Sequence, residues 1–119
     1  MAELAKKYTA KSFPQLKGLK GISDGLLESH FKLYEGYVNR TNKLTETLFG
    51  LAKEGQAQGA NPVYAELTRR LGFEYNGMVL HEFYFSGMKP GGTGNPGSKL
   101  KAAAEGSFSS WDVYLADLK

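Results

Sequence analysis

The sequence contains no cysteine, which removes disulfide frameworks, thiolate metal sites and cysteine nucleophiles together. Any metal it binds must be held by His, Asp or Glu. Histidine is itself scarce: His30 and His81 are the only two in 119 residues, so the chain alone cannot supply a three-imidazole centre. No stretch approaches the roughly 18–20 apolar residues of a membrane span, and the opening MAELAKKYTA lacks the apolar core of a signal peptide. The expectation is a cytoplasmic protein without membrane association, in which the Asn39-Arg40-Thr41 sequon is coincidental. Like charges never form a long run; 15 basic and 12 acidic residues are dispersed, for a net +3. That weak basic bias excludes a nucleic-acid signature and leaves at most a mild attraction for small anions.

What is present is a chain long enough for one modest core, patterned for helices. Pro14, Gly18 and Gly21 punctuate the first 22 residues, as suits an extended arm. Ser23 is an expected N-cap, followed by apolar residues at Leu27, Phe31, Tyr34, Tyr37, Val38, Leu44, Leu48 and Leu51. This spacing of three and four predicts an amphipathic helix from Ser23 to Lys53. Asn61-Pro62 begins a second helix, with a stripe through Tyr64, Leu67, Leu71, Tyr75, Met78, His81, Phe85 and Met88. The segment GMKPGGTGNPG then breaks the pattern, and Ser98–Glu105 and Ser107–Lys119 read as two shorter helices. The fold class expected is all-α: a helical-hairpin domain over residues 1–88 with its arm, then 89–119 as a linker and the first helices of an incomplete second domain. The literal GxGxxG at Gly92, Gly94 and Gly97 has no preceding strand and contains Pro96, so it reads as linker and not as a nucleotide loop.

Each histidine lies on the apolar stripe of its helix. Either alone would be read as a core residue. In an antiparallel hairpin, however, His30 lies about 35 Å and His81 about 30 Å from the turn at 1.5 Å per residue, within about one helical turn of each other in depth. Two facing imidazoles in a thiol-free interior form a reasonable half of a metal site. No HExxH and no carboxylate pair completes it. Glu74 and Glu82 adjoin the second stripe and are expected to be solvated flank residues. Tyr37, seven residues after His30, falls on nearly the same line of the helix, where a phenol could relay a proton or else serve only as a core aromatic.

Several segments in register resemble the iron/manganese superoxide dismutase family: Ile22-Ser23 before His30, Tyr37-Val38-Asn39-Arg40-Thr41-Asn42, His81-Glu82-Phe83-Tyr84-Phe85, the loop Pro90–Gly97, and Phe108-Ser109-Ser110-Trp111. The resemblance covers nearly the whole chain. It implies an enzyme that disproportionates superoxide to dioxygen and hydrogen peroxide at one iron or manganese ion, with His30 and His81 as two of four protein ligands and Tyr37 beside the site. The remaining Asp and His ligands belong to a DxWEHxY-type motif that is absent here, so the implied partner is a carboxy-terminal half, in the same longer chain or a separate one. The complete enzyme would be a homodimer or tetramer. Many members have a second histidine four residues after the first ligand, where this chain has Tyr34, assigned an outer role; the spacing from His30 to Tyr37 is one residue shorter than the common pattern. Gly77 stands where iron-type members often carry glutamine, which leans towards manganese or mixed use. The contrasting reading is a non-catalytic helical-hairpin interaction module.

Overall fold

A computed structural model describes residues 6–119, which form four α-helices and one 3₁₀ turn and contain no strand. The expected all-α class holds. Helix α1 spans Asp24–Lys53; its N-cap Ser23 accepts a hydrogen bond from the Leu26 amide at 3.1 Å, with Asp24 in the first turn and Lys53 in the last. Each charge complements the helix dipole at its own end. Helix α2, Pro62–Ser86, starts where Asn61 Oδ1 accepts from the amides of Val63 and Tyr64, and Pro62 fills a position that needs no amide donor. It stops two residues short of Met88, with Gly87 as its cap.

The last two helices are α3, Ser98–Phe108, and α4, Trp111–Leu118. Here the expected break at Gly106 is corrected: the helix continues through it to Phe108. The turn comes at Ser109, which takes a left-handed φ of 67°, and Ser110 caps α4 by accepting from the Val113 amide. A serine followed by a better N-cap serine ends the helix more effectively than an interior glycine, which α-geometry tolerates at a cost of about 1 kcal/mol. No helix among the described residues is long and apolar enough to cross a membrane.

Helices α1 and α2 form the antiparallel hairpin, and the core lies towards its open end. Leu27, Tyr34 and Val38 of α1 meet Met78 and Phe85 of α2, and Leu16 of the 3₁₀ turn Pro14–Leu16 closes the cluster. The arm is held by polar ties. The Tyr8 amide donates to Asn42 Oδ1 while Asn42 Nδ2 donates to the Tyr8 carbonyl, both at 2.8 Å. Helices α3 and α4 pack chiefly on each other, through Phe108, Trp111 and Tyr114. The radius of gyration, 19.7 Å, is well above the about 13 Å of a compact domain of this size.

Candidate metal centre

The hairpin brings His30 of α1 and His81 of α2 together, with ring centroids 6.1 Å apart and planes inclined at 45°. Imidazoles bound to one ion through bonds of about 2.1 Å have centroids roughly 4.5–5.5 Å apart at ordinary coordination angles. The observed pair is slightly wider, a difference that small side-chain rotations can close. His81 is already prepared: its Nδ1 lies 2.7 Å from the Gly77 carbonyl. A carbonyl only accepts, so Nδ1 carries the proton and Nε2 keeps its lone pair. His30 has a buried Nδ1 with no hydrogen-bond partner, a ring nitrogen whose bonding capacity is unused. The donor set therefore fits part of a mononuclear iron or manganese site. Among the described residues no group of three or more His, Asp or Glu side chains could hold a metal ion.

Aromatic rings enclose the pair. Tyr84 lies 5.7 Å from His30, and Tyr37 and Phe85 lie 5.2 and 5.9 Å from His81. Helical phase accounts for all three, since Tyr37 follows His30 by seven residues while Tyr84 and Phe85 follow His81 by three and four. Tyr84 was legible by that rule, yet attention to ligands alone passes over it. Tyr37 fits because α2 has glycine at 77: a methyl group built there would fall well inside van der Waals contact with the Tyr37 ring. Gly77 thus provides space for the phenol and a carbonyl for His81.

This dual use predicts an asymmetry within one helix. Gly77→Ala is expected to destabilise the chain, because overpacking of about 1–3 kcal/mol exceeds the helix-propensity gain of about 1 kcal/mol. Gly72→Ala, where nothing lies within 4 Å, is expected to stabilise it by about 0.5–1 kcal/mol. Urea midpoints of the two variants, which should move in opposite directions, check this.

Tyr34, Glu74 and Glu82 differ in setting from the flank expected of the two glutamates. Tyr34 is buried in the core; its hydroxyl donates to Glu82 Oε2 at 2.7 Å and accepts from the Lys11 amide at 2.9 Å. Lys11 Nζ in turn lies 3.2 Å from Glu82 Oε1. Glu82 is therefore a cross-strut between arm and hairpin. Glu74 is fully buried. Arg40 Nε donates to its Oε2 at 2.9 Å, and Arg70 donates to its Oε1 through Nη2 at 2.7 Å and Nε at 3.0 Å. Burial alone would raise the Glu74 carboxyl, but the hydrogen bonds from Arg40 and Arg70 outweigh it and hold the group below its ordinary value. Both glutamates are thus corrected from solvated residues to bonded ones. A pairing between helices cannot be seen from either helix alone.

Burial pushes the Tyr34 hydroxyl up to about 12, against an opposing bond from the Lys11 amide and with help from Glu82. A group whose folded value lies above its unfolded value near 10 contributes fully below pH 10 and loses that contribution as pH rises towards 12. The thermal midpoint should therefore fall between about pH 10 and about pH 12, and Tyr34→Phe should lessen that fall even if it lowers stability at neutral pH. An identical alkaline loss in the variant would remove Tyr34 as its source.

No family model matches the chain. It is, however, similar to the proteins named "Superoxide dismutase [Fe]" of Aquifex aeolicus and Aquifex pyrophilus, each 35% identical over 116 residues, covering 95% of this chain and 54% of the relative. It is also similar to "Superoxide dismutase [Mn], mitochondrial" of Glossina morsitans morsitans, at 30% identity over 115 residues, 94% of this chain and 51% of the relative. The chain spans about half the length of the curated relatives it matches. Helical order, the facing histidines and these likenesses converge: over 95% of its length the chain is similar to iron and manganese superoxide dismutases, in the manner of the amino-terminal half of such a protein.

Proposed function

We propose that this chain supplies two ligands, His30 and His81, and the neighbouring phenol Tyr37 to a superoxide dismutase whose site is completed by a carboxy-terminal half. The observation that carries the reading is the imidazole pair, with His81 Nδ1 committed to the Gly77 carbonyl and Nε2 free to ligate. When bound, iron or manganese supplies one-electron exchange, taking an electron from one superoxide and returning it to the next. The chain's own residues hold that ion's surroundings: Gly77 orients His81, Phe85 and Tyr84 exclude water from the rings, and Tyr37 Oη holds a proton near the site for the reductive step. Tyr34 acts further out, tying Lys11 and Glu82 together behind the ligand helix. The hairpin to residue 88 is the first domain and 89–119 opens the second, in a cytoplasmic homodimer or tetramer. Leu80 and Phe83, 64% and 68% exposed on α2, support a missing covering surface.

The test is to combine the chain with the carboxy-terminal half of a relative, load manganese(II) or iron(II), and measure metal content and superoxide decay. Dismutation is expected from the complex and at most trace activity from the chain alone. Equal dismutation by a complex in which His30 and His81 are both glutamine would overturn the ligand assignment and favour the non-catalytic interaction module.

A further inference from the structure

Tyr37 is confined on two sides by features that no ligand assignment requires. One side is the gap at Gly77. On the other, the Arg40 guanidinium lies 5.2 Å from the Tyr37 ring centroid, within range of a cation–π contact. Arg40 is itself seated: it lies where a methyl group on Gly36 would crowd its guanidinium at 3.0–3.4 Å. Its Nε is bonded to Glu74 Oε2 across the hairpin, and Glu74 is anchored from its own helix by Arg70 four residues earlier.

The geometry points to Glu74 as a positioning residue that, through Arg40, fixes the Tyr37 ring against Gly77 and His81. Three physical points support the inference. A fully buried carboxylate is costly unless it is paired and hydrogen-bonded, and this one meets that condition with bonds on both oxygens. Arginine is suited to the middle place, because its planar fork can bond edge-on to a carboxylate while its face rests on an aromatic ring. Finally, the order Arg70, Glu74, Arg40, Tyr37, His81 crosses from α2 to α1 and back, so the Tyr37 position depends on hairpin register. Tyr37's part in turnover rests on the dismutase reading; its placement by Glu74 and Arg40 does not.

The test uses the 119-residue chain without metal, labelled with ring-carbon-13 tyrosine, the Tyr37 signal being identified by its loss in Tyr37→Phe. Wild type is expected to show a nuclear Overhauser contact between the Tyr37 ring and the Gly77 α-protons, and slow ring flipping. In Glu74→Gln that contact should weaken and flipping should speed up about tenfold. Arg40→Met, at a half-exposed position less demanding on folding, should do the same, and Arg40→Lys should not restore it. Arg70→Met leaves the Arg40–Glu74 bond in place and should retain the Tyr37 signature despite lower stability. An unchanged signature in Arg40→Met, or equal loss in Arg70→Met well below its melting point, would overturn the assignment. Failure of metal binding in the completed enzyme would instead overturn the dismutase reading and leave this signature intact.

Discussion

Replacing Phe85 with alanine is expected to lower the stability of the chain by about 3–5 kcal/mol, the largest effect of any single truncation proposed here. Phe85 has no exposed surface. Its ring meets Phe13 of the arm at 5.1 Å, Phe31 and Tyr34 of α1 at 4.8 and 5.8 Å, and His81 of its own helix at 5.9 Å. Several of these are edge-to-face, the arrangement that adds to simple area burial. Truncation would remove the transfer term and leave a cavity bounded by three separate segments, which cannot collapse together without breaking the polar ties of the arm. Phe83, two residues away and largely exposed, is the control: Phe83→Ala should change stability by no more than about 0.5 kcal/mol. Denaturant melts of both decide the matter. A similar loss for the two would mean that the core is not centred on Phe85.

The second large effect concerns metal. In the complex with a carboxy-terminal half, His81→Gln is expected to reduce manganese(II) affinity by more than about 100-fold, the upper range for loss of a mere supporting partner. Loss of a ligand should exceed it. His30→Gln should match that loss if both imidazoles bind one ion. Titration with manganese(II), followed by the paramagnetic signal of the free ion, measures each directly. Both variants should keep wild-type helicity, since neither ring fills a fully buried position in the core. Retained affinity in either variant would remove that residue from the ligand set. Gly77→Ala offers an independent check: it disturbs the Tyr37 side of the site but keeps the Gly77 carbonyl, and should weaken binding far less.

The sequence carried the hairpin well because its signals are local. Ser23, Asn61 and Pro62 are cap residues whose chemistry acts within one turn, and the stripes through Leu27, Tyr34 and Val38, and through Met78 and Phe85, are single-helix periodicities. The approach of His30 to His81 was also legible, from helix rise and the depth of each residue below the turn. The break between α3 and α4 was misplaced because glycine is a strong punctuator only where the backbone must turn; Gly106 did not need to. Arg70, four residues before Glu74 on the same helix, was a legible partner, but the burial of Glu74 and the setting of Glu82 were not, because Arg40, Tyr34 and Lys11 come from other elements, 34, 48 and 71 positions away. Likewise, Gly77 appeared as a position without glutamine; only the packed hairpin makes it the seat of the Tyr37 ring.

The arm's attachment to both helices bears on the order in which the molecule assembles. Lys11 gives its amide to Tyr34 of α1 and its ammonium to Glu82 of α2, so its two partners sit side by side only after the helices have closed. Closing the short link between α1 and α2 is a nearby event along the chain, whereas docking the arm requires contacts from Tyr8 to Asn42, 34 positions apart. The arm should therefore latch last and release first. Its amides at Tyr8 and Lys11 should then exchange faster than those of the hairpin core, and their rates report release of the arm while the histidine pair is still shut.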